Sequence, residues 1–204
     1  MQIRKQSGIL EDSTPHKITE TMEKAFVTAG GTRNEPAAAG LLKVVEDSGL
    51  EECLAEIQRE FDPSLYSLHT LSVRLSGFIK PGMEMEERIA ALTKAAIELT
   101  SPEAPDWEKI AARFLNYRFR RRLAAELNRL EISCFYEKIV YLTKEGLYGD
   151  YILNSYSRED LELAASFIED SRDQQFTWSC LDLLLKCYVI QTRQHEPLET
   201  PQEM

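Results

Sequence analysis

The sequence is poor in the residues that build metal centres and disulfide scaffolds: three histidines and four cysteines among 204 residues. The histidines, His16, His69 and His195, have no partner at metal-ligand spacing. Cys53, Cys134, Cys180 and Cys187 form no C-x-x-C pair, and the chain is too long and too cysteine-poor for a disulfide framework. They read as reduced thiols in a cytoplasmic protein. Cys180 and Cys187 share one helix face two turns apart, beyond disulfide reach, and are expected in the core. No apolar run approaches the ~18 residues of a membrane span. The first residues, Met1 to Gln6, have no apolar signal region. Phosphate-binding and dinucleotide glycine loops are missing, as are the H-E-x-x-H and G-x-S-x-G motifs. Carboxylates abound, but nothing singles out an acid–base pair. Taken alone, these residues show no active site.

Positive charge is also scarce. Lys plus Arg is 24 against 34 Asp plus Glu, a net charge of −10, which disfavours generic duplex nucleic-acid binding. Hydrophobic residues are 43% and charged residues 28%, ordinary globular usage. A chain of this length buries roughly 70% of its unfolded surface without staples.

Helical stripes dominate what is present. Residues 2–5 and 9–11 flank a Ser7-Gly8 turn and predict a short hairpin. Thr14-Pro15 opens a helix that Gly30-Gly31 ends. Leu41, Leu42, Val44 and Val45 predict a helix stopping near Gly49. Leu54, Ile57 and Phe61 predict another, stopped by Asp62-Pro63. Leu65, Leu68, Leu71 and Leu75 form a stripe that Lys80-Pro81-Gly82 breaks. Ile89, Leu92, Ala96 and Leu99 carry the next helix.

Pro105-Asp106-Trp107 starts a long helix to about residue 127, with Trp107, Ile110, Phe114, Tyr117 and Leu123 inward. Ser133 is placed to cap a helix ending at Gly146, with Phe135, Ile139 and Leu142 inward. Ser157 and Asp160 form a capping-box pattern ahead of Leu161, Ala164, Phe167 and Ile168. A last helix is predicted over 177–186, then a strand at 188–191 that 197–200 could pair with. The chain is therefore mainly α, with two short β pairs.

One segment stands against the overall charge. From Arg113 to Arg129 there are six arginines (113, 118, 120, 121, 122 and 129) and a single acid, Glu126. Three readings fit it: a face that pairs with acidic neighbours, an anion site built from forked guanidinium donors, or a nucleic-acid surface. The last lacks an aromatic platform. A second hint is the Lys5 to Gly8 turn followed by Lys17, an arrangement that can hold a phosphate chain near a helix N-terminus.

Five ordered motifs between 103 and 204 resemble the large (α) subunit of aerobic ribonucleotide reductase. They are Pro105-Asp106-Trp107 with Ala111-Ala112-Arg113; Tyr136 to Val140 through Gly146-Leu147-Tyr148; Tyr156 to Leu161; Arg172-Asp173 with Phe176-Thr177-Trp178; and Tyr188 with Glu199 to Gln202 and Met204. The N-terminus, Ile3 to Gly8 and then Pro15 to Ile18, resembles the ATP-cone, the regulatory module of that family. The resemblance implies ATP and dATP as effectors. Lys5 and Lys17 would meet phosphates, Ile3 the base, and Glu11 and Thr14 the nucleoside end. Arg121 would match a basic position on the closing helix.

Several positions depart from the family pattern. Gln6 stands for its Arg and Ser7 for its Asp. Met85 and Ile89 fall where the family offers Thr and then His or Asp. Residues 30–81 are longer than the usual link.

The resemblance implies an ATP-cone-like helical domain over 1–130, with a helical insertion at about 30–81. A second helical domain covers 131–204 and ends in a short β pair. The chain stops at Met204, where the catalytic barrel of the family begins. The radical cysteine, the reducible cysteine pair and the substrate-binding groups of the family lie beyond it. The expectation is thus an N-terminal regulatory fragment with no catalytic residue of its own and no metal or resident cofactor. Its implied partners are the remainder of the large subunit, the small radical-carrying subunit and further copies of itself, with no nucleic acid and no membrane. The alternative is a degenerate cone that binds no nucleotide and serves as a protein–protein interaction module.

Overall fold

The structure is a computed structural model and describes residues 47–204. The expected hairpin, the helix opened by Thr14-Pro15 and the stripe at 41–45 lie outside the described residues.

Helix α1 (Ser48–Glu60) begins where the Asp47 side chain accepts from the Gly49 and Leu50 amides at 3.1 and 3.2 Å, satisfying two orphan donors of the first turn. Leu50, Leu54 and Ile57 make one fully buried stripe. The helix ends at Phe61, ahead of Asp62-Pro63. Gly49, expected as a helix stop, instead sits inside the first turn of α1. A Cβ there would meet the Tyr117 hydroxyl at 2.9 Å, so the glycine serves a close approach to another helix.

Helix α2 (Leu68–Ser76) starts at Ser67, whose hydroxyl accepts from the His69 amide. Leu68, Leu71 and Leu75 are buried. Leu65, assigned to the same stripe by spacing, precedes the helix and is exposed. Helix α3 (Met85–Glu98) opens with the Glu87 carboxylate accepting from the Glu84 amide at 3.0 Å, half of a capping box. Its buried face carries Ile89, Leu92, Ala95 and Ala96.

Helix α4 (Trp107–Arg129) has 23 residues, about 34 Å of helix, and is the spine of the fold. Its first half packs on α1 and α3, with Trp107, Ile110, Ala111 and Phe114 closing one apolar core. A different face, with Ala112, Phe119 and Leu123, turns toward a second core. That core is completed from helix α8 (Trp178–Cys187) by Leu181 and Leu185, and by Val189 beyond it. Trp178 packs against both cores. Serving two cores with two faces is why α4 has no single apolar stripe. Phe119 is buried although spacing did not single it out, and Tyr117 is only half-buried.

The remaining helices are short. Helix α5 (Phe135–Lys144) is capped at Cys134 rather than at Ser133. The Ser133 amide and hydroxyl instead donate to the Glu137 carboxylate at 2.8 and 2.7 Å. Gly146, at φ +70°, ends that segment, a backbone conformation cheap only for glycine. Helix α6 (Tyr151–Ser155) buries no residue. Helix α7 (Arg158–Ala165) carries the expected capping box from Ser157 and Asp160. It ends before Phe167, which is exposed. A 3-10 turn (Asp170–Gln175) leads to α8, where Thr177 is the N-cap and its hydroxyl accepts from the Cys180 amide.

Cys180 and Cys187 are exposed, contrary to a core placement: Leu181 and Leu185 take the inward face of α8. In place of a terminal strand pair there is a single antiparallel bridge, Gln191 to Pro197. The turn between them is tightened by the Thr192 amide on the Glu196 carbonyl at 2.8 Å and by His195 at φ +63°. The ladder goes no further because the Ile190 amide donates to the Glu199 carboxylate at 2.9 Å instead of to the opposite backbone.

Candidate functional site

The arginine-rich stretch lies on α4, and helical geometry spreads its side chains around the axis. Each arginine meets a carboxylate, mostly from distant sequence. Arg113 pairs with Glu60 and Arg118 with Glu86 at 3.1 Å. Arg120 holds Asp170 at 2.7 Å and Asp173 at 2.6 Å. Arg121 pairs with Asp47 and lies 3.5 Å from Glu86. Arg122 holds Glu196 at 3.0 Å and donates to the His195 carbonyl at 2.7 Å. Arg129 grips Glu126, one turn away, through two bonds of 2.8 and 2.6 Å. The acid-pairing reading of this segment is the one the geometry carries.

Two sides of α4 hold different things. On one, Arg118, Arg121, Arg122 and Arg129 line an open groove of about 940 Å³, with Glu86, Glu126 and Glu196 among its other walls. Asp47 pairs with Arg121 of that wall. Burial alone pushes the Asp47 carboxyl up. The Tyr117 hydroxyl, the Leu50 amide and the Arg121 guanidinium together hold it below the ordinary carboxylate range. The Tyr117 phenol is pushed up, first by burial and then by the Asp47 carboxylate it donates to.

On the other side Arg120 reaches a buried polar hub. Asp173 is 1% exposed and accepts from Arg120 at 2.6 Å and from the Gln202 amide at 2.9 Å. Gln202 also donates to the Glu169 carbonyl at 2.7 Å. Glu199, 2% exposed, accepts from the Tyr148 hydroxyl at 2.5 Å and the Ile190 amide at 2.9 Å. Burial and Glu199 push the Tyr148 phenol up. Lys138 chelates Glu203 at 2.7 and 2.8 Å. These contacts fasten the C-terminal segment 198–203 onto α5 and the 3-10 turn.

The hub collects residues from motifs that seemed independent in sequence: Lys138 and Tyr148, Asp173, and Glu199 with Gln202. In this structure those residues position backbone, and none of them lines the groove. Sequence spacing gave no sign of the pairings Arg120–Asp173 or Lys138–Glu203.

Among the expected effector residues, Arg121 lies at the groove wall. Ile3, Lys5, Glu11, Thr14 and Lys17 lie outside the described residues. Among the departures from the family pattern, Ile89 is wholly buried and Met85 packs against the first core. Among the described residues no cluster of His, Cys, Asp and Glu could hold a metal ion. None of the described helices is long and apolar enough to cross a membrane.

This mainly helical chain is related to the large subunit of an oxidoreductase. No family model matches it. Its curated relatives are α subunits of ribonucleoside-diphosphate reductase. The protein of Treponema pallidum is 49% identical over 158 residues, which cover 78% of this chain and 19% of that one. The α subunit of ribonucleoside-diphosphate reductase 1 of Escherichia coli is 28% identical over 159 residues, covering 75% of this chain and 20% of the relative. The enzyme of phage T4 is 28% identical over 135 residues, covering 66% and 18%. The chain thus spans about a fifth of the length of the reductase subunits it matches.

Proposed function

We propose that the chain serves as the N-terminal, non-catalytic portion of a ribonucleoside-diphosphate reductase large subunit. The observation that carries this is the 49% identity over 158 residues to the Treponema pallidum α subunit. In the whole cytoplasmic subunit it would support reduction of ribonucleotides to deoxyribonucleotides. Its partners would be the remainder of that subunit, the small radical-carrying subunit and further copies of itself. No resident cofactor or metal is assigned to the segment, which alone should give no turnover.

The effector reading assigns ATP and dATP to a cone-like site with Ile3, Lys5, Glu11, Thr14, Lys17 and Arg121 as contacts. Allostery would then run through two states of that site with different subunit association.

A second reading, an interaction module without nucleotide binding, draws support from three features. Ile89 is buried in the first core and Met85 packs on it, so neither can reach a ribose or phosphate. Arg121 already has Asp47 and Glu86 as partners, so a phosphate must displace a carboxylate.

A thermal melt with ATP or dATP, run beside Lys5→Ala, separates the two. A ligand at 100 times its Kd stabilises by about 2.7 kcal/mol, a rise of roughly 5–10 °C for a domain of this size. A rise lost in Lys5→Ala supports the effector reading. No rise at millimolar nucleotide refutes it and leaves the interaction module. Turnover by this chain alone would refute the non-catalytic assignment.

A further inference from the structure

Helices α5 to α7 turn much of their apolar surface outward. Six large apolar side chains are exposed between residues 140 and 167: Val140, Leu147, Tyr151, Tyr156, Leu163 and Phe167. Over the same stretch only Leu142 and Leu161 are buried as large apolar groups. Helix α6 buries no residue and α7 only Leu161. Helices of 5 and 8 residues are too short to stand on local propensity, so their order depends on packing. The three rings, 69%, 54% and 70% exposed, leave roughly 300–500 Å² in water, already the size of the largest apolar patch on an ordinary monomer. The three aliphatic side chains bring the face to about 600 Å², the lower end of an interdomain interface.

Charge narrows what covers this face. Between residues 140 and 170 there are seven acids and two bases. Arg120 pairs with Asp170 and Arg172 with Glu169, so four bases stand against seven acids. A second copy would set this acidic rim against itself, whereas a basic rim on a different surface would complement it. The 198–203 segment runs beside the face. Two residues past Phe167, the Glu169 amide donates to Gln202 at 3.2 Å and the Glu169 carbonyl accepts from Gln202 at 2.7 Å.

We propose that the α5–α7 face is an internal docking surface of a longer reductase subunit. Its occupant is a part of that subunit outside these 204 residues, apolar at its centre and rich in lysine or arginine at its edge. The inference rests on the assignment of the chain to the large subunit. The shared span is 19% of the matched Treponema pallidum protein, so most of such a subunit is left to supply the cover. Tyr151 and Phe167, the most exposed rings of the face, are its anchors, since buried aromatics dominate interface energetics.

Hydrogen–deuterium exchange compares this chain alone with the whole subunit that contains it. Peptides from 151 to 167 should exchange at least about tenfold more slowly in the whole subunit, because covering the face opposes local opening. Leu163→Asp with Phe167→Asp should move the Tm of the chain alone by less than about 2 °C, since both side chains already lie in water there. The same pair should remove the protection in the whole subunit. Leu65→Asp with Val73→Asp, at exposed apolar positions near α2, should leave it in place. Equal exchange with and without the remainder overturns the proposal, as does protection that survives Leu163→Asp with Phe167→Asp. So does a concentration-dependent dimer of the chain alone that those substitutions abolish, because a second copy then covers the face. A gene that encodes no longer subunit around this chain refutes the large-subunit assignment and this proposal with it; the other outcomes leave that assignment standing.

Discussion

Replacing Asp173 by Asn removes one charge from the least exposed carboxylate in the hub while keeping its shape. The side chain has no exposed surface. It is held by Arg120 at 2.6 Å and by Gln202 at 2.9 Å. Breaking a buried pair by removing one partner costs roughly 3–5 kcal/mol. Two features reduce that figure here. Arg120 is 29% exposed and so partly solvated, and it keeps Asp170, itself 70% exposed, as a second partner. Asparagine can still accept from Gln202.

The expected loss is therefore about 2–3 kcal/mol, or roughly 5–10 °C in Tm for a domain of this size. Urea and thermal unfolding followed by circular dichroism measure it. A double-mutant cycle with Arg120→Ala should show a coupling of at least ~1 kcal/mol, because the two side chains share one bond. A loss below ~1 kcal/mol for Asp173→Asn, with additive behaviour in the cycle, would refute the reading of Asp173 as the hub that ties α4 to the C-terminal segment.

Three other outcomes are expected. Ile89→Ala should cost about 2–5 kcal/mol in unfolding measurements, as for a wholly buried aliphatic side chain; a near-neutral effect would place position 89 outside the core. Ellman's reagent should modify Cys180 and Cys187 rapidly at neutral pH, because both are exposed. Cys53 should resist, because burial, aided by Glu56, pushes its thiol up to about 12 and only the thiolate reacts. Asp47 should contribute stability that fades in acid. Its folded-state carboxyl lies below the ordinary value of 3.8, so near pH 4 the unfolded chain binds the proton more readily and stability rises with pH. The advantage of the parent chain over Asp47→Asn should be full above about pH 5 and vanish as the pH falls through the folded value; a difference independent of pH would refute it.

Local signals were legible in the sequence wherever the cause was local. Asp62-Pro63 stops α1, Ser157 with Asp160 opens α7, Thr177 opens α8, and the stripe Ile89–Leu92–Ala96 faces inward, because caps and helical periodicity act within a turn or two. The same logic failed where a second element intervened. Gly49 resembles a terminator but is small because Tyr117 crosses it. Cys180 and Cys187 share a face, yet periodicity does not say which face of α8 meets α4. Phe119 was invisible because α4 packs in two directions.

The sequence by itself determined a mainly helical chain, the concentration of arginine on one long helix, and a resemblance to reductase α subunits. Tertiary structure alone decided what the arginines do. Five of the six reach carboxylates at least 30 residues away in sequence, and only Arg129 finds its partner on its own helix. Charge along a helix is a local property. Its neutralisation depends on which remote acids the packing of apolar faces brings within about 3 Å. The groove and the hub therefore exist only after α1, α3 and the C-terminal segment have docked on α4.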